Sequence, residues 1–176
     1  MPDLGAAVVG LGNPEARHDA VQLLLDAGAS AIPVLRKGLT HPYWRVRHMS
    51  CRLLDDLPLD ADLLGELWSL ASTDPNKRVR RQAWHAVTCA PCKPDGLDLS
   101  FEVALSAISA QLRDRSLRVR RGGATGLLFA AVAANPDVDR THELIELVLR
   151  TETDETIVTR ARRARSVLEH RAHRAP

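Results

Sequence analysis

DPNKRVRRQAWHAV, residues 74–87, decides the fold, because close copies of it recur along the chain. HPYWRVRHMSCRLL (residues 41–54) and DRSLRVRRGGATGLL (residues 114–128) repeat its turn residue and, five and six positions later, its Val-Arg pair. Weaker copies begin at residues 13 and 154. Internal repeats of this kind predict a protein built from one structural unit used several times.

The apolar residue at the Val position of each copy, here called the anchor, gives the period of the repeat. Successive anchors are 30, 33, 40 and 38 residues apart, a range typical of units that contain two helices each. A loop rich in proline and glycine, residues 90–98, accounts for the longest spacing. The five anchors are Ala16, Val46, Val79, Val119 and Ile157.

Small or apolar residues stand four, seven, eight and eleven positions after each anchor, with Arg165 of the last repeat as the exception. In the repeat that opens at residue 74 they are Ala83, Ala86, Val87 and Ala90. This spacing places them on one side of a helix, so it predicts an amphipathic helix that buries that side. A further apolar helix is predicted before each of these, at about residues 4–11, 30–38, 62–72, 99–112 and 141–149.

Turn residues separate the predicted helices. Asn13 and Asp74 each precede a proline, and a capping residue followed by proline is typical of the start of a helix. Ser30 and Thr141 are predicted to cap the helices that they begin, because their hydroxyl oxygens can accept from the first main-chain N–H groups.

Composition indicates the same class of fold. Hydrophobic residues make up 45% of the 176 residues but aromatic residues only 3%, so the core must consist of Leu, Val and Ala. Ala and Leu are the strongest helix formers, whereas strands favour β-branched and aromatic side chains. We therefore predict an all-α fold.

Charge and cysteine content indicate the compartment. The net charge is only +2, no apolar run approaches the ~20 residues that a membrane span needs, and the N-terminus lacks the pattern of a signal peptide. The three cysteines form an odd set without secretory context, so free thiols in a reducing cytoplasm are expected. The chain is predicted to be cytoplasmic, with no membrane among its partners.

The Asp-Pro turn, the Val-Arg pair and the Ala/Leu stripe together resemble the HEAT-repeat family over nearly the whole chain. The resemblance implies an α-α superhelix, a HEAT-like solenoid of about five helical hairpins whose second helices line a concave groove. It also implies ladders between units, in which the turn residues Asp74 and Asp114 pair with the arginines of the Val-Arg pairs. The predicted single domain consists of repeats at about residues 4–28, 30–58, 61–91, 98–134 and 138–170, followed by a basic tail at 171–176.

The second, fifth and sixth positions after each anchor are predicted to lie away from the buried stripe. Across the three central repeats they hold a cationic row with one aromatic at its centre, and Trp and Arg dominate binding hot spots. The chain is therefore predicted to be a non-enzymatic interaction or scaffold module that binds another protein, one with an acidic surface, in its groove. The candidate binding residues are His48, Arg52, Arg81, Trp84, His85 and Arg121.

Three further arginines, Arg45, Arg78 and Arg118, directly precede the anchors. They fall in the first turns of predicted helices, where the helix dipole disfavours positive charge. Helix stability does not require them there, whereas a phosphate or an acidic partner would favour them, because helix N-termini attract anions.

Nucleic acid is the alternative partner. Trp84 on the predicted groove, with Asp55 as the nearest acid at a comparable position, resembles at the level of the repeat the HEAT-like alkylpurine DNA glycosylases, which use groove tryptophans and an aspartate to hold a damaged nucleotide. Trp44 is predicted to lie in a turn. Residues 159–176 carry six arginines and one acid, which form either the solvated outer side of the last repeat or a flexible basic arm. The small net charge argues against strong non-specific DNA binding.

His85, Cys89 and Cys92 have H-x3-C-x2-C spacing, which could place three ligands around a zinc ion. A structural zinc site is normally closed by four ligands, and only Cys51 of the adjacent helix could supply another. The simpler interpretation packs Cys89 into the core and leaves Cys92 in the loop. No metal and no cofactor is therefore predicted, and Gly10-x-Gly12 lacks the strand that a dinucleotide site requires.

Overall fold

A computed structural model describes residues 3–89, 100–133 and 137–172, and in these ranges the chain forms helices joined by turns, with no β-strand. The prediction of an all-α fold is confirmed. By its contacts the chain divides into two compact units, the first ending at Leu97 and the second beginning at Asp98. The division falls inside the loop predicted at residues 90–98, and the organisation as a single domain stays a prediction.

The described part of unit 1 contains six helices: α1 (Leu4–Gly10), α2 (Arg17–Ala27), α3 (Ile32–Leu39), α4 (Trp44–Leu54), α5 (Ala61–Thr73) and α6 (Lys77–Thr88). A 3-10 turn, Gly28–Ala31, leads from α2 into α3. The helices pair as α1 with α2, α3 with α4 and α5 with α6. The second helix α4 also contacts both α2 and α6, while α3 contacts α1 and α5, so the pairs stack in two layers.

The described part of unit 2 contains four helices: α7 (Phe101–Leu112), α8 (Leu117–Val132), α9 (Val138–Thr151) and α10 (Glu155–Ala172). They pair as α7 with α8 and α9 with α10, and α8 packs extensively against α10. Leu127, Ile145 and Ile157 are fully enclosed in the core between them. Together the two units contain the five helical hairpins that the repeats predict.

Four of the five first helices begin at side-chain caps that the sequence analysis missed. Asp3, Asp60, Ser100 and Asp137 each accept a hydrogen bond from the main-chain N–H three residues later, at the starts of α1, α5, α7 and α9. Such a bond satisfies a donor that has no partner within the helix. Each of these residues stands directly before an apolar-periodic segment, so the signal was present in the sequence.

The predicted caps are wrong. Ser30 lies in the 3-10 turn, and Thr141 is buried inside α9, where its hydroxyl has no hydrogen-bond partner. Asn13 and Asp74 accept through Oδ1 from the N–H two residues later, at 3.1 and 2.7 Å, and so cap the turns rather than the helices. As a result α2 and α6 begin three or four residues after these side chains.

The arginine that follows an anchor holds the turn leading into its own helix. In four repeats its guanidinium donates to the main-chain carbonyl six residues earlier, at 2.8 to 3.1 Å. Buried carbonyl groups at a turn need such donors, because no helix or sheet satisfies them. The pairs are Arg17 with Leu11, Arg47 with His41, Arg80 with Asp74, and Arg120 with Asp114.

The ladder implied by the family resemblance is present within each unit. Arg47 of α4 donates to both carboxylate oxygens of Asp74, which precedes α6. In unit 2, Arg120 of α8 donates to Glu152, which precedes α10. Glu152 was missed, although it stands five residues before the anchor Ile157, the same position that Asp74 holds before Val79.

Candidate functional site

The exposed side of α4 and α6 in unit 1 carries most of the predicted binding residues, and we call it the α4/α6 face. Its members stand two residues before, two after and six after each anchor, which places them one helical turn apart on a common side. Those of α4 are Trp44, His48 and Arg52, and those of α6 are Lys77, Arg81 and His85. Arg52, Lys77, Arg81 and His85 are exposed, and Trp44 and His48 are half-buried.

The prediction that the fifth position after each anchor faces solvent is wrong. Cys51, Trp84 and Ala124 occupy this position and are at most 2% exposed. The buried stripe of these helices is wider than the four positions that defined it, because each second helix is covered by its first helix and by its neighbours. Burial raises the pKa of the Cys51 thiol, whose side chain packs in the core like a small apolar residue.

Trp84 belongs to the core of unit 1 rather than to its surface. Its ring meets that of Trp68, on α5, edge to face with centroids 5.0 Å apart. This geometry is the one that aromatic pairs prefer. Trp84 therefore cannot be the aromatic that a partner meets on the groove, and its role is to join α5 to α6.

His85 is held in place by a buried acid of the preceding repeat. Its Nδ1 lies 2.6 Å from Oδ2 of Asp55, at the C-terminal end of α4. The Asp55 side chain is 8% exposed and the His85 ring 49% exposed. A carboxylate at this position fixes the orientation of the imidazole ring, so that its other nitrogen, Nε2, points away from Asp55.

Trp44 and two arginines form a cationic aromatic cluster that the sequence analysis did not assemble. The guanidinium carbon of Arg45 is 5.2 Å from the centroid of Trp44, and that of Arg78, from α6, is 5.3 Å from it. Arg45 also lies 5.5 Å from the ring of Tyr43 and donates to its hydroxyl oxygen. At exposed sites each such cation–π contact contributes about 0.5–1 kcal/mol. The feature of the sequence that could have indicated this cluster is the arginine directly before each anchor.

An open groove of about 430 Å³ between α2 and α4 borders the α4/α6 face. Its lining is apolar at Val21, Leu25, Met49 and Leu53. Arg52 lies at its edge and belongs to both surfaces. A partner that contacts the α4/α6 face therefore has an apolar surface within reach beside it.

Arg121, the candidate binding residue of unit 2, is part of an ion pair. Its Nε and Nη2 donate to the two carboxylate oxygens of Asp154, at 3.2 and 2.8 Å, and its carbonyl accepts from Arg160. Hydrogen bonding to Asp154 raises the pKa of Arg121, and the same bond lowers the pKa of Asp154. The guanidinium is 46% exposed, so a second anion can still approach it.

A sequence profile described as HEAT repeats matches residues 1–88. The chain belongs to the HEAT-repeat family. A chain from the complex of CpcE and CpcF of phycocyanin lyase, from Nostoc sp. PCC7120, is similar in structure, with a TM-score of 0.67 and 21% identity over 92% of this chain and 97% of that one. An engineered protein is similar with a TM-score of 0.55 and 23% identity, over 93% of this chain and 42% of that one. No curated protein sequence matches the chain.

In residues 3–89, 100–133 and 137–172 of this HEAT-repeat chain, no three His, Cys, Asp or Glu side chains are grouped so that they could hold a metal ion. His85 and Cys89 are described, whereas Cys92 lies outside these ranges, so the zinc hypothesis that includes it stays a prediction. No helix in the same ranges is long and apolar enough to cross a membrane.

The arginine-rich segment of the HEAT-repeat chain is helical through Ala172, where α10 ends. Arg165 pairs with Glu146 and Glu169, and Arg171, predicted as the first residue of a basic tail, donates to the carbonyl oxygens of Ala131 and Ala133 at the end of α8. These arginines stabilise unit 2, as expected of the outer side of a last repeat. Arg162 and Arg163 remain exposed, and Arg174 lies outside the described residues.

Proposed function

We propose that this HEAT-repeat protein is a non-enzymatic interaction module that binds another protein through the α4/α6 face. The observation that carries the proposal is the charge of that face. Arg52 of α4 and Lys77 and Arg81 of α6 are exposed on this face. Surfaces of one charge select partners of the opposite charge and speed their association, so the proposed partner presents an acidic surface.

The arginines that hold the turns of the fold stand one residue after the anchor, which is not a position of the α4/α6 face. Arg47 and Arg80 point into the turns before their helices and donate to main-chain carbonyl groups there. Arg52 and Lys77 of the α4/α6 face stand at other positions of these helices and are exposed. Because they are exposed cations outside the position that holds the turns, binding is the role that we assign to them.

The aromatic contact that we assign to the interface is Trp44 rather than Trp84. Trp44 is half-buried on the α4/α6 face and is followed one turn later by His48, whose ring centroid is 6.3 Å away. The α2/α4 groove, which Met49, Arg52 and Leu53 of α4 line, supplies an apolar surface beside Arg52. We keep His85 and Arg121 in the proposed binding set, because both side chains are about half exposed.

One structural relative supports a protein partner. The similar phycocyanin lyase chain was solved as a complex of two proteins, CpcE and CpcF. Because its identity to this chain is only 21%, the likeness carries no statement about which protein binds here. The partner, its acidic surface and a cytoplasmic location are parts of the proposal.

Photo-crosslinking tests the proposal. A photoreactive amino acid replaces Arg52 or Lys77 on the α4/α6 face, and in the control it replaces Lys37 on α3, an exposed cation of a first helix in the same unit. We expect a protein to crosslink from the first two positions and not from the third. That protein, once purified, should bind the wild-type chain and bind the Arg52→Glu/Arg81→Glu variant at least about tenfold more weakly, because a charge reversal replaces attraction by repulsion.

Two results would contradict the proposal. Crosslinking that is equally strong from Lys37 would show contact with no preference for the second helices. If the double charge reversal leaves the affinity of the purified partner unchanged, the α4/α6 face is not part of the interface. If nucleic acid rather than protein is recovered, and its binding weakens steeply with rising salt, the alternative function replaces this one.

A further inference from the structure

Arg45 and Arg78, at the ring of Trp44, are two cations that the proposed function does not use. We call these three residues, with Tyr43, the Trp44 platform. Both guanidinium carbons lie within 5.3 Å of the Trp44 centroid, although the two arginines belong to different helices. Among the residues that the structure describes, neither guanidinium forms an ion pair with a carboxylate.

Contact with the indole ring prepares these guanidinium groups for an anion. A guanidinium that lies over an aromatic ring still presents N–H donors at its edge, in a fork that matches the two oxygens of a carboxylate. The ring contact and the bond from Arg45 to the hydroxyl of Tyr43 restrict the rotamers of the long side chains. Less conformational entropy is then lost when an anion binds.

Two electrostatic interactions of the platform are unfavourable in the isolated protein. Arg45 and Arg78 lie in the first turns of α4 and α6, and neither helix has an acidic residue there. Positive charge near a helix N-terminus is destabilising, and two guanidinium groups at one ring repel each other. An anion bound to both guanidinium groups would offset their repulsion and their unfavourable interaction with the helix dipoles.

We propose that the Trp44 platform binds carboxylate side chains of an acidic segment in the partner protein. The inference rests on the proposed function, since Trp44 belongs to the α4/α6 face as well as to the platform. Carboxylates are favoured over nucleic-acid phosphates by the charge of the unit, because residues 3–89 contain as many Asp and Glu as Lys and Arg. Binding to a nucleic-acid backbone depends on a distinctly basic surface that neutralises many phosphates.

The test uses the full chain and a fluorescein-labelled peptide rich in Glu and Asp, with a peptide of equal length in which Gln and Asn replace the acids. Binding is measured by fluorescence anisotropy at low ionic strength. We expect the acidic peptide to bind and the neutral one not to bind. The Arg45→Gln/Arg78→Gln variant should bind the acidic peptide at least about fivefold more weakly, as expected for the loss of two exposed ion pairs.

The matched control is Arg150→Gln/Arg162→Gln, which removes the same charge from two exposed arginines of unit 2. It should leave the affinity within about twofold, because these two arginines are not part of the platform and exposed charges are screened by salt. Circular dichroism verifies that both variants remain helical. The Arg45→Lys/Arg78→Lys variant keeps the charge but lacks the fork, and should recover less than half of the lost affinity.

The pattern of losses separates this inference from the proposed function. If Arg52→Gln/Arg81→Gln weakens peptide binding and Arg45→Gln/Arg78→Gln does not, the platform is excluded and the α4/α6 face stands. Equal weakening by the unit 2 control, or full recovery with lysines, would show attraction by net charge alone and overturn the inference. A labelled single-stranded DNA that binds more tightly than the peptide, with the same sensitivity to Arg45→Gln/Arg78→Gln, would overturn the acidic segment as the occupant.

Discussion

Arg47 donates from Nε and Nη2 to the two carboxylate oxygens of Asp74, at 2.7 and 3.1 Å, and so joins the second helix of one repeat to the turn of the next. The side chain of Asp74 is 1% exposed and that of Arg47 is 12% exposed. Asp74 also accepts from the N–H of Asn76, and Arg47 also donates to the carbonyl of His41. Arg47 thus stabilises both the turn before its own helix, α4, and the turn before α6.

Loss of the Asp74 carboxylate should destabilise unit 1 strongly. We expect Asp74→Ala to lower the free energy of unfolding by about 3–5 kcal/mol, because the buried guanidinium of Arg47 is left without its counter-charge. The control is Glu66→Ala, which removes the exposed partner of Arg36 and should cost less than about 1 kcal/mol. Urea unfolding followed by circular dichroism gives both values, and similar losses in the two variants would contradict the assigned role of the Arg47–Asp74 pair.

Trp84 should matter for stability and not for recognition. Trp84→Ala empties a fully enclosed position beside Trp68, and a cost of about 3–5 kcal/mol is typical of such a truncation. Trp44→Ala, at a half-buried position, should cost less, about 1–2 kcal/mol, the sum of its two cation–π contacts. Thermal unfolding of the two variants distinguishes the sites. A Trp84→Ala protein as stable as the wild type would show that the ring is exposed after all.

Gly38 is required where α3 crosses α4. A Cβ added there would lie 3.0 Å from Cγ1 of Val8 and 3.1 Å from Cβ of Ser50, and closer still to the Ser50 hydroxyl. We expect Gly38→Ala to cost about 1–3 kcal/mol through overpacking. Adding Ser50→Ala should recover part of this, because it also removes a buried hydroxyl without a hydrogen-bond partner.

Gly65 provides the control for this substitution. It lies in α5 with nothing within 4 Å of an added Cβ. Gly65→Ala should therefore stabilise the protein by about 0.5–1 kcal/mol, because alanine loses less backbone entropy in a helix. Chemical denaturation of Gly38→Ala and Gly65→Ala measures both changes in the free energy of unfolding. Changes of the same sign would contradict the claim that Gly38 is required for steric reasons.

Acid should remove the contribution of Glu152. Although burial opposes it, hydrogen bonds from the N–H of Asp154 and from Arg120 hold the pKa of Glu152 below its ordinary value. A carboxyl with a lowered pKa stabilises the fold above its unfolded pKa of about 4.3, and this stability is lost as the pH falls through the folded pKa. The difference in urea midpoint between wild type and Glu152→Gln should therefore shrink from about pH 6 to about pH 3. A difference that stays constant would show that Glu152 is not part of the ladder.

Much of the fold follows from the sequence because it depends on local periodicity. The stripe residues Leu53, Ala83, Val87 and Ala164 are buried as predicted. The caps at Ser30 and Thr141 were wrong because helix starts depend on where neighbouring helices allow the chain to turn. Glu152 could have been found by counting back five residues from the anchor Ile157, and the four first-helix caps by looking for the polar residue directly before each apolar-periodic segment.

The candidate site was only partly predictable. The exposed positions of Arg52, Arg81 and His85 follow from helical spacing, and these residues lie on one side of α4 and α6 as expected. The burial of the fifth position after each anchor could not be predicted from helical spacing, because it depends on how much of the second helix the neighbouring helices cover. Spacing along one helix gives angles around its axis and carries no information about that coverage.

The sequence by itself determined the class of fold, the repeat period and the arginine of each Val-Arg pair, because these depend on contacts between residues close in the chain. Only the tertiary structure decided that Trp84 is a core residue, and that Trp44 is the aromatic on the surface. It also brought Arg78 of one repeat to the ring of Trp44 in the preceding one. The physical reason is that burial and cation–π contacts between repeats depend on the packing of helices that are about thirty residues apart in the sequence.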